Sequence, residues 1–207
     1  KAYEGLAANI KARPTYLKMR EGGLAITDID KVSLATREEQ FMSQLATKIP
    51  GIGKLVRASS RAYSGFLNKM RADVFDDLLK KADALDIKHD DKFLKDAAKF
   101  VNAATGRGKF GFKETLIFPK ELDRAATVLN SVFFSPRLIA SRLNLLNPLF
   151  YITLHPLVRK EAIKSLLAFG AVAGTTLGLM KLNGADIGED PRSADFGKGR
   201  FENTRYD

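Results

Sequence analysis

From Ile52 to Leu78 the chain repeats a helical period without interruption: Ile52, Leu55, Ser59, Ala62, Phe66, Met70, Val74 and Leu78 fall three or four residues apart. Such spacing places one side chain per turn on a common face, whereas a strand would need alternation. It predicts a long amphipathic helix over about 53–84 with that stripe turned inward. Around it, no alternating pattern runs for more than about five residues, so the fold class expected is all-α.

Proline and glycine divide the remainder. Pro14 ends a first helix that occupies 1–13, a turn follows at 15–20, and Gly22-Gly23 breaks the chain again. Thr36 with Glu39 forms a capping-box pattern ahead of Phe41, Leu45 and Ile49, so a helix is expected from Arg37 to Pro50. Asp90 caps a short amphipathic run through Phe93, Ala97, Phe100, Val101 and Ala104. Pro119 opens a helix carrying Leu122, Ala125, Ala126, Leu129 and Val132. Pro136, Pro148 and Pro156 cut an apolar stretch into short helices, and a last helix is expected over about 157–182. The resulting organisation is a helical linker over 1–34, a helical domain over 35–105, a glycine-rich loop over 106–118, an apolar helical region over 119–182 and an extended polar segment over 183–207 that wraps another surface. The start at Lys1 and the end at Asp207 read as those of a piece of a larger protein.

Catalytic chemistry finds little support. The chain has no Cys and only two His, so thiolate chemistry is excluded and zinc spacing is missing. His89 lies among Lys88, Asp90 and Asp91 and reads as solvated; His155, before Pro156, reads as a turn residue. Asp76-Asp77 and Asp90-Asp91 are adjacent pairs, so within a helix the members point about 100° apart and read as surface. Ala62-Tyr63-Ser64-Gly65 lacks the glycines of a nucleophile elbow. Neither a metal nor a cofactor is expected, and the chain is read as a non-enzyme.

Binding chemistry has more to work with. Thirty-four Lys and Arg stand against 24 Asp and Glu, a net charge of +10. A balance of this kind favours anionic partners, nucleic acid or an anionic membrane surface. Lys54, Arg57 and Arg61 form a basic stripe on the long helix, continued by Lys69 and Arg71. Arg107 and Lys109 stand among Gly106, Gly108 and Gly111, a loop without the strand or the Lys-Ser/Thr pair of a nucleotide cradle. These five residues, Lys54, Arg57, Arg61, Arg107 and Lys109, are the nucleic-acid-contact candidates. The other candidate is Leu166–Met180, fifteen uncharged residues between Lys164 and Lys181, with Gly170, Gly174 and Gly178 four apart on one face. Glycines so placed open a groove for a second helix. Fifteen residues fall short of a bilayer's usual 20, and Ile163–Leu182 reaches that length if both lysines snorkel. The expectation is a buried helix, with membrane insertion as the alternative.

Several stretches carry a resemblance. Arg37-Glu38-Glu39-Gln40-Phe41-Met42, Ile49-Pro50-Gly51-Ile52-Gly53, Ser60-Arg61-Ala62-Tyr63 and Phe66 through Asp73 resemble a C-terminal-type region of very large polyvalent, internal virion proteins of tailed bacteriophages. Asn130 through Arg142, Asp190 through Lys198 and Asn203-Thr204-Arg205 agree with it, so that the likeness covers about 35–207. The resemblance implies a structural, oligomer-forming module of a genome-ejection protein, carried in the capsid interior or tail and transferred to the host envelope or cytoplasm. Its implied partners are other virion or tail proteins, further copies of itself, DNA and the host membrane. The alternative function is a nucleic-acid-binding protein that handles or protects incoming phage DNA. No catalytic residue is implied.

Overall fold

A computed structural model describes residues 2–27, 52–107, 136–202 and 204–206. The helices expected over 37–49 and 119–132, and the glycine-rich loop beyond Arg107, lie outside the described residues. Within them the protein is mostly helical: α1 (Ala2–Lys11), α2 (Tyr16–Glu21), α3 (Ile52–Ala84), α4 (Asp91–Ala104), α5 (Pro136–Leu146), α6 (Pro148–Ile152) and α7 (Pro156–Leu182). Three short strands follow, β1 (Asp186–Ile187), β2 (Gly199–Phe201) and β3 (Thr204–Tyr206), in one antiparallel sheet of order β1-β2-β3. The chain forms two compact units, Lys1–Arg159 and Lys160–Asp207.

Local chemistry accounts for the helix ends. Asp90 is extended and accepts a hydrogen bond from Phe93 N at 2.7 Å, capping α4. Asn147 does the same for α6 through Leu149 N at 3.0 Å, with Pro148 at the first helical position. At the C-terminal end of α2 the chain turns left-handed at Gly23, and Leu24 N and Gly23 N return to Met19 O and Arg20 O. This pair of bonds satisfies carbonyls that a helix end otherwise leaves open. The same pattern closes α3 at Asp86, α4 at Gly106 and α7 at Gly184.

In the first unit α1 packs on α3, α2 on α4, α3 on α4, and α4 on α5. Its core holds Ile10, Met19, Phe75, Leu79, Phe93, Val101, Phe150, Leu154 and Val158. Residues 2–27 of the N-terminal stretch pack into this core. Ile10 and Met19 are buried, and Gly22 is so close to α4 that an added Cβ would stand 2.5 Å from Leu94 O.

The long helix is present almost residue for residue, and its inward face is not the expected one. Ser59 and Ala62 are exposed, Phe66 is 62% exposed and Val74 38%. The buried positions are Ser64, Leu67, Asn68, Arg71, Ala72, Phe75, Leu78, Leu79 and Ala82. Polar residues win this face because it covers an irregular backbone segment. Asn68 Nδ2 donates to Thr27 O at 2.8 Å while its Oδ1 accepts from Thr27 N at 2.9 Å. From α4, Asn102 Oδ1 accepts from Ala25 N at 2.8 Å and Asn102 Nδ2 donates to Gly23 O at 3.0 Å. Arg71, 0% exposed, donates to Ala25 O, Thr105 Oγ1 and Thr105 O. Three side chains thus supply residues 23–27 with the hydrogen bonds a neighbouring strand would give.

The second unit corrects the expectation of an extended 183–207. Asp186 pairs with Arg200, and Arg200 with Arg205, so the tail folds on itself. Strands of two or three residues are too short to register as a periodic pattern. Buried Gly199 receives the end of Met180 from α7: an added Cβ would stand 2.1 Å from Met180 Cε.

Replacing Asn68 with Ala removes the side chain that bonds both the N–H and the C=O of buried Thr27. Urea unfolding should then show a loss of about 2 kcal/mol or more, whereas Phe66→Ser, on the exposed face, should stay within about 0.5 kcal/mol.

Candidate functional site

Two arrangements stand out among the described residues: a charged cleft in the first unit and the surface of α7 in the second.

The cleft, of about 340 Å³, is lined by Arg13, Pro14, Thr15, Lys18, Asp76, Leu79, Lys80, Asp83 and His89. Most of its charges are paired with neighbouring charges. Arg13 bridges Asp73 at 2.7 Å and Asp76 at 2.8 Å, and Thr15 Oγ1 donates to Asp76 at 2.6 Å. Asp76 is therefore a half-buried tie between α3 and the α1–α2 turn, not a surface residue. His89 is likewise not solvated: its side chain is 12% exposed and stacks on Phe93. Its Nδ1 lies 2.8 Å from Lys18 Nζ, within hydrogen-bond reach. Nε2 lies 3.1 Å from Asp83 Oδ1, without the alignment of a hydrogen bond, so that contact is electrostatic. His155 lies between α6 and α7; its N–H donates to Asp96 at 2.7 Å and its ring meets Phe93 edge-on. Among the described residues no group of three His, Asp or Glu is placed to hold a metal ion.

Of the five basic candidates, the described residues include the side chains of two, Arg61 and Arg107. Arg61 is exposed on α3; the side chains of Lys54 and Arg57, and all of Lys109, lie outside the described residues. Arg107 is half-buried and donates to Thr27 Oγ1 at 3.0 Å. Lys69 pairs with Asp73 one turn on, and Arg71 is interior, so the stripe does not continue along α3.

α7 is the clearer feature. Its first turns carry buried Leu157 and Val158 and an arginine, Arg159, that donates to Leu154 O at 3.2 Å. Beyond Ala162 the helix is apolar and open. Phe169 is 72% exposed, Val172 68%, and an added Cβ at Gly170, Gly174 or Gly178 would meet nothing within 4 Å among the described residues. The expected burial of this helix therefore does not occur against the described part of the chain. Two of its three hydroxyls turn inward on the helix itself: Ser165 Oγ donates to Glu161 O and Thr176 Oγ1 to Val172 O, both at 2.9 Å. At the far end Lys181 pairs with Glu189, and Ala185 N and Gly184 N close the last carbonyls.

No family model, no curated protein and no solved structure matches this chain.

The cleft predicts a pH dependence. Burial alone would raise the Asp73 pKa, but the hydrogen bonds and charges of Lys69 and Arg13 outweigh it and hold the carboxyl below its ordinary value. A carboxylate depressed in the folded state contributes stability above its unfolded pKa of about 3.9 and loses it as pH falls through the folded value. Urea midpoints should therefore be flat near neutrality and drop below about pH 4. Arg13→Ala should cost about 1 kcal/mol at pH 7, discounted for Asp73's exposure, and shrink the acid drop.

Proposed function

We propose that this chain is an assembly module of a large virion-internal protein of a tailed bacteriophage and acts in delivering the genome into the host. The observation that carries this reading is the state of α7. The helix exposes its apolar side chains and its glycine face, and nothing among the described residues covers them. Exposed apolar surface on this scale marks an interaction site. Such a module completes its packing on assembly, with other virion or tail proteins, with further copies of itself or with the host envelope. The phage setting is supported by the sequence resemblance over about 35–207. No cofactor or catalytic residue enters this reading; the chain works by binding.

Mass spectrometry and cryo-electron microscopy of purified particles of the encoding phage test the proposal. The polypeptide is expected inside the capsid or tail, and its absence from particles would overturn the reading. Gly174→Leu adds a side chain to the open face of α7. It should leave the thermal unfolding of the free chain unchanged while weakening assembly, read by cross-linking and particle incorporation.

A second reading, handling of incoming DNA, is favoured by the distribution of charge. Residues 1–182 carry thirty Lys and Arg against eighteen Asp and Glu, while 183–207 carry four against six. Phosphate contact by the basic part predicts DNA affinity that falls steeply between about 50 and 200 mM salt. Affinity that is absent or indifferent to salt would remove this reading.

A further inference from the structure

We infer that α7 spans a lipid bilayer bearing anionic headgroups, with Lys164 and Lys181 at its two faces. This deepens the assembly reading by naming what α7 meets, and it rests on that reading only in placing the partner of α7 outside the described chain.

Length comes first. Ile163–Leu182 is 20 residues of continuous helix, about 30 Å at 1.5 Å per residue, the thickness of a hydrocarbon core. No charged residue lies between Lys164 and Lys181, and a lysine at either end can carry its ammonium to the headgroups while its stem stays apolar. A core helix of a soluble domain would pass the same test of length, but it would be buried; the apolar window of α7 is 0% buried.

The distribution around the axis separates lipid from a protein partner. Taking about 100° per residue, the exposed side chains Ile163, Leu166, Leu167, Phe169, Val172 and Leu182 leave no gap wider than about 80°. A helix that docks in a groove or on one neighbouring helix needs a single apolar face and keeps a polar one for water. One that lies in the membrane plane needs the same two faces. α7 has neither division, and an all-round apolar surface is what hydrocarbon solvates.

Two of the three hydroxyls in the span are handled as a bilayer requires, and the third, that of Thr175, makes no hydrogen bond among the described residues. Hydrocarbon offers no hydrogen bonds, so every polar group inside it must be satisfied within the segment. Ser165 and Thr176 donate to carbonyls one turn back, at Glu161 and Val172. The last carbonyls are closed by Gly184, Ala185 and the Asn183 side chain, whose Nδ2 donates to Leu179 O at 2.7 Å. Charge completes the match, because the net +10 of the chain draws it to an anionic surface.

The absence of Trp from the chain gives a clean reporter. Val172→Trp places a single indole near the middle of the span. With vesicles of phosphatidylcholine and phosphatidylglycerol, the full 207-residue chain should float and remain bound at high salt. Its emission should shift to the blue and be quenched most by lipids brominated near the ends of the acyl chains. Val172→Asp should reduce partitioning by at least about a hundredfold with the unfolding of the first unit unchanged. Strongest quenching by shallow bromines would overturn the span in favour of a helix lying on the surface. A chain that stays at the bottom of the gradient would also overturn it. If that chain is a soluble oligomer dissociated by Val172→Asp, the partner of α7 is protein and the assembly reading stands. If it is a monomer with a shielded indole, α7 is covered by its own chain, and assembly through α7 falls as well.

Discussion

The first unit depends on how a short irregular segment, residues 23–27, is admitted between α3 and α4. A buried peptide group that leaves water without a partner costs roughly 1–3 kcal/mol, and several in a row would expel the segment. Asn68, Asn102 and Arg71 prevent this by meeting the backbone of Gly23, Ala25 and Thr27. Arg71 also takes in the C-terminal end of α4 through Thr105. A guanidinium with no exposed surface is tolerable only when its donors are used, and here its donors hold a loop and a helix end against α3. Through this one cluster α2, α3 and α4 are fixed to one another, and the Arg13–Asp76 tie fixes α1 to the same helix.

That dependence explains the division of labour in the chain. The first unit supplies the backbone of residues 23–27 from its own side chains and buries Phe75, Phe93, Phe100 and Phe150, so its described core is packed by its own residues. The apolar part of α7 differs in kind: two of its three hydroxyls bond back to the helix, and its apolar side chains are not covered among the described residues. A surface that is largely apolar and open gains most from a medium or partner that supplies dispersion contacts and removes water, because apolar burial contributes roughly 25 cal/mol per Å².

What could be read in the sequence follows from which signals are local. The start at Asp90, the stops at Pro14 and Ala84, and the extent of α7 rest on caps, prolines and unbroken helical period, and all of them appear in the structure. The inward face of α3 did not follow the apolar stripe, because its selection was made by backbone carbonyls of residues 23–27, far away in sequence. Phe66 and Val74 outweigh Asn68 and Arg71 on any hydrophobic reading, and only the presence of an irregular segment to be satisfied reverses the order. His89 and Asp76 were misjudged for a related reason: their partners, Lys18 and Arg13, are 71 and 63 residues away. The sheet was illegible because strands this short carry no period. Of the candidate site, the glycine face of α7 was legible in composition, and its openness was not, since burial is a property of the surroundings.

The central proposal is that residues 23–27 are held inside the first unit while α7, open among the described residues, is covered by a bilayer, and amide hydrogen exchange on the 207-residue chain tests it most directly. The account predicts that the amides of Ala25 and Thr27 are strongly protected in buffer alone, whereas those from Leu166 to Met180 exchange fast in buffer and become protected when phosphatidylglycerol-containing vesicles are added. Amides of α7 that are already as protected in buffer as those of α4, and unchanged by vesicles, would contradict it.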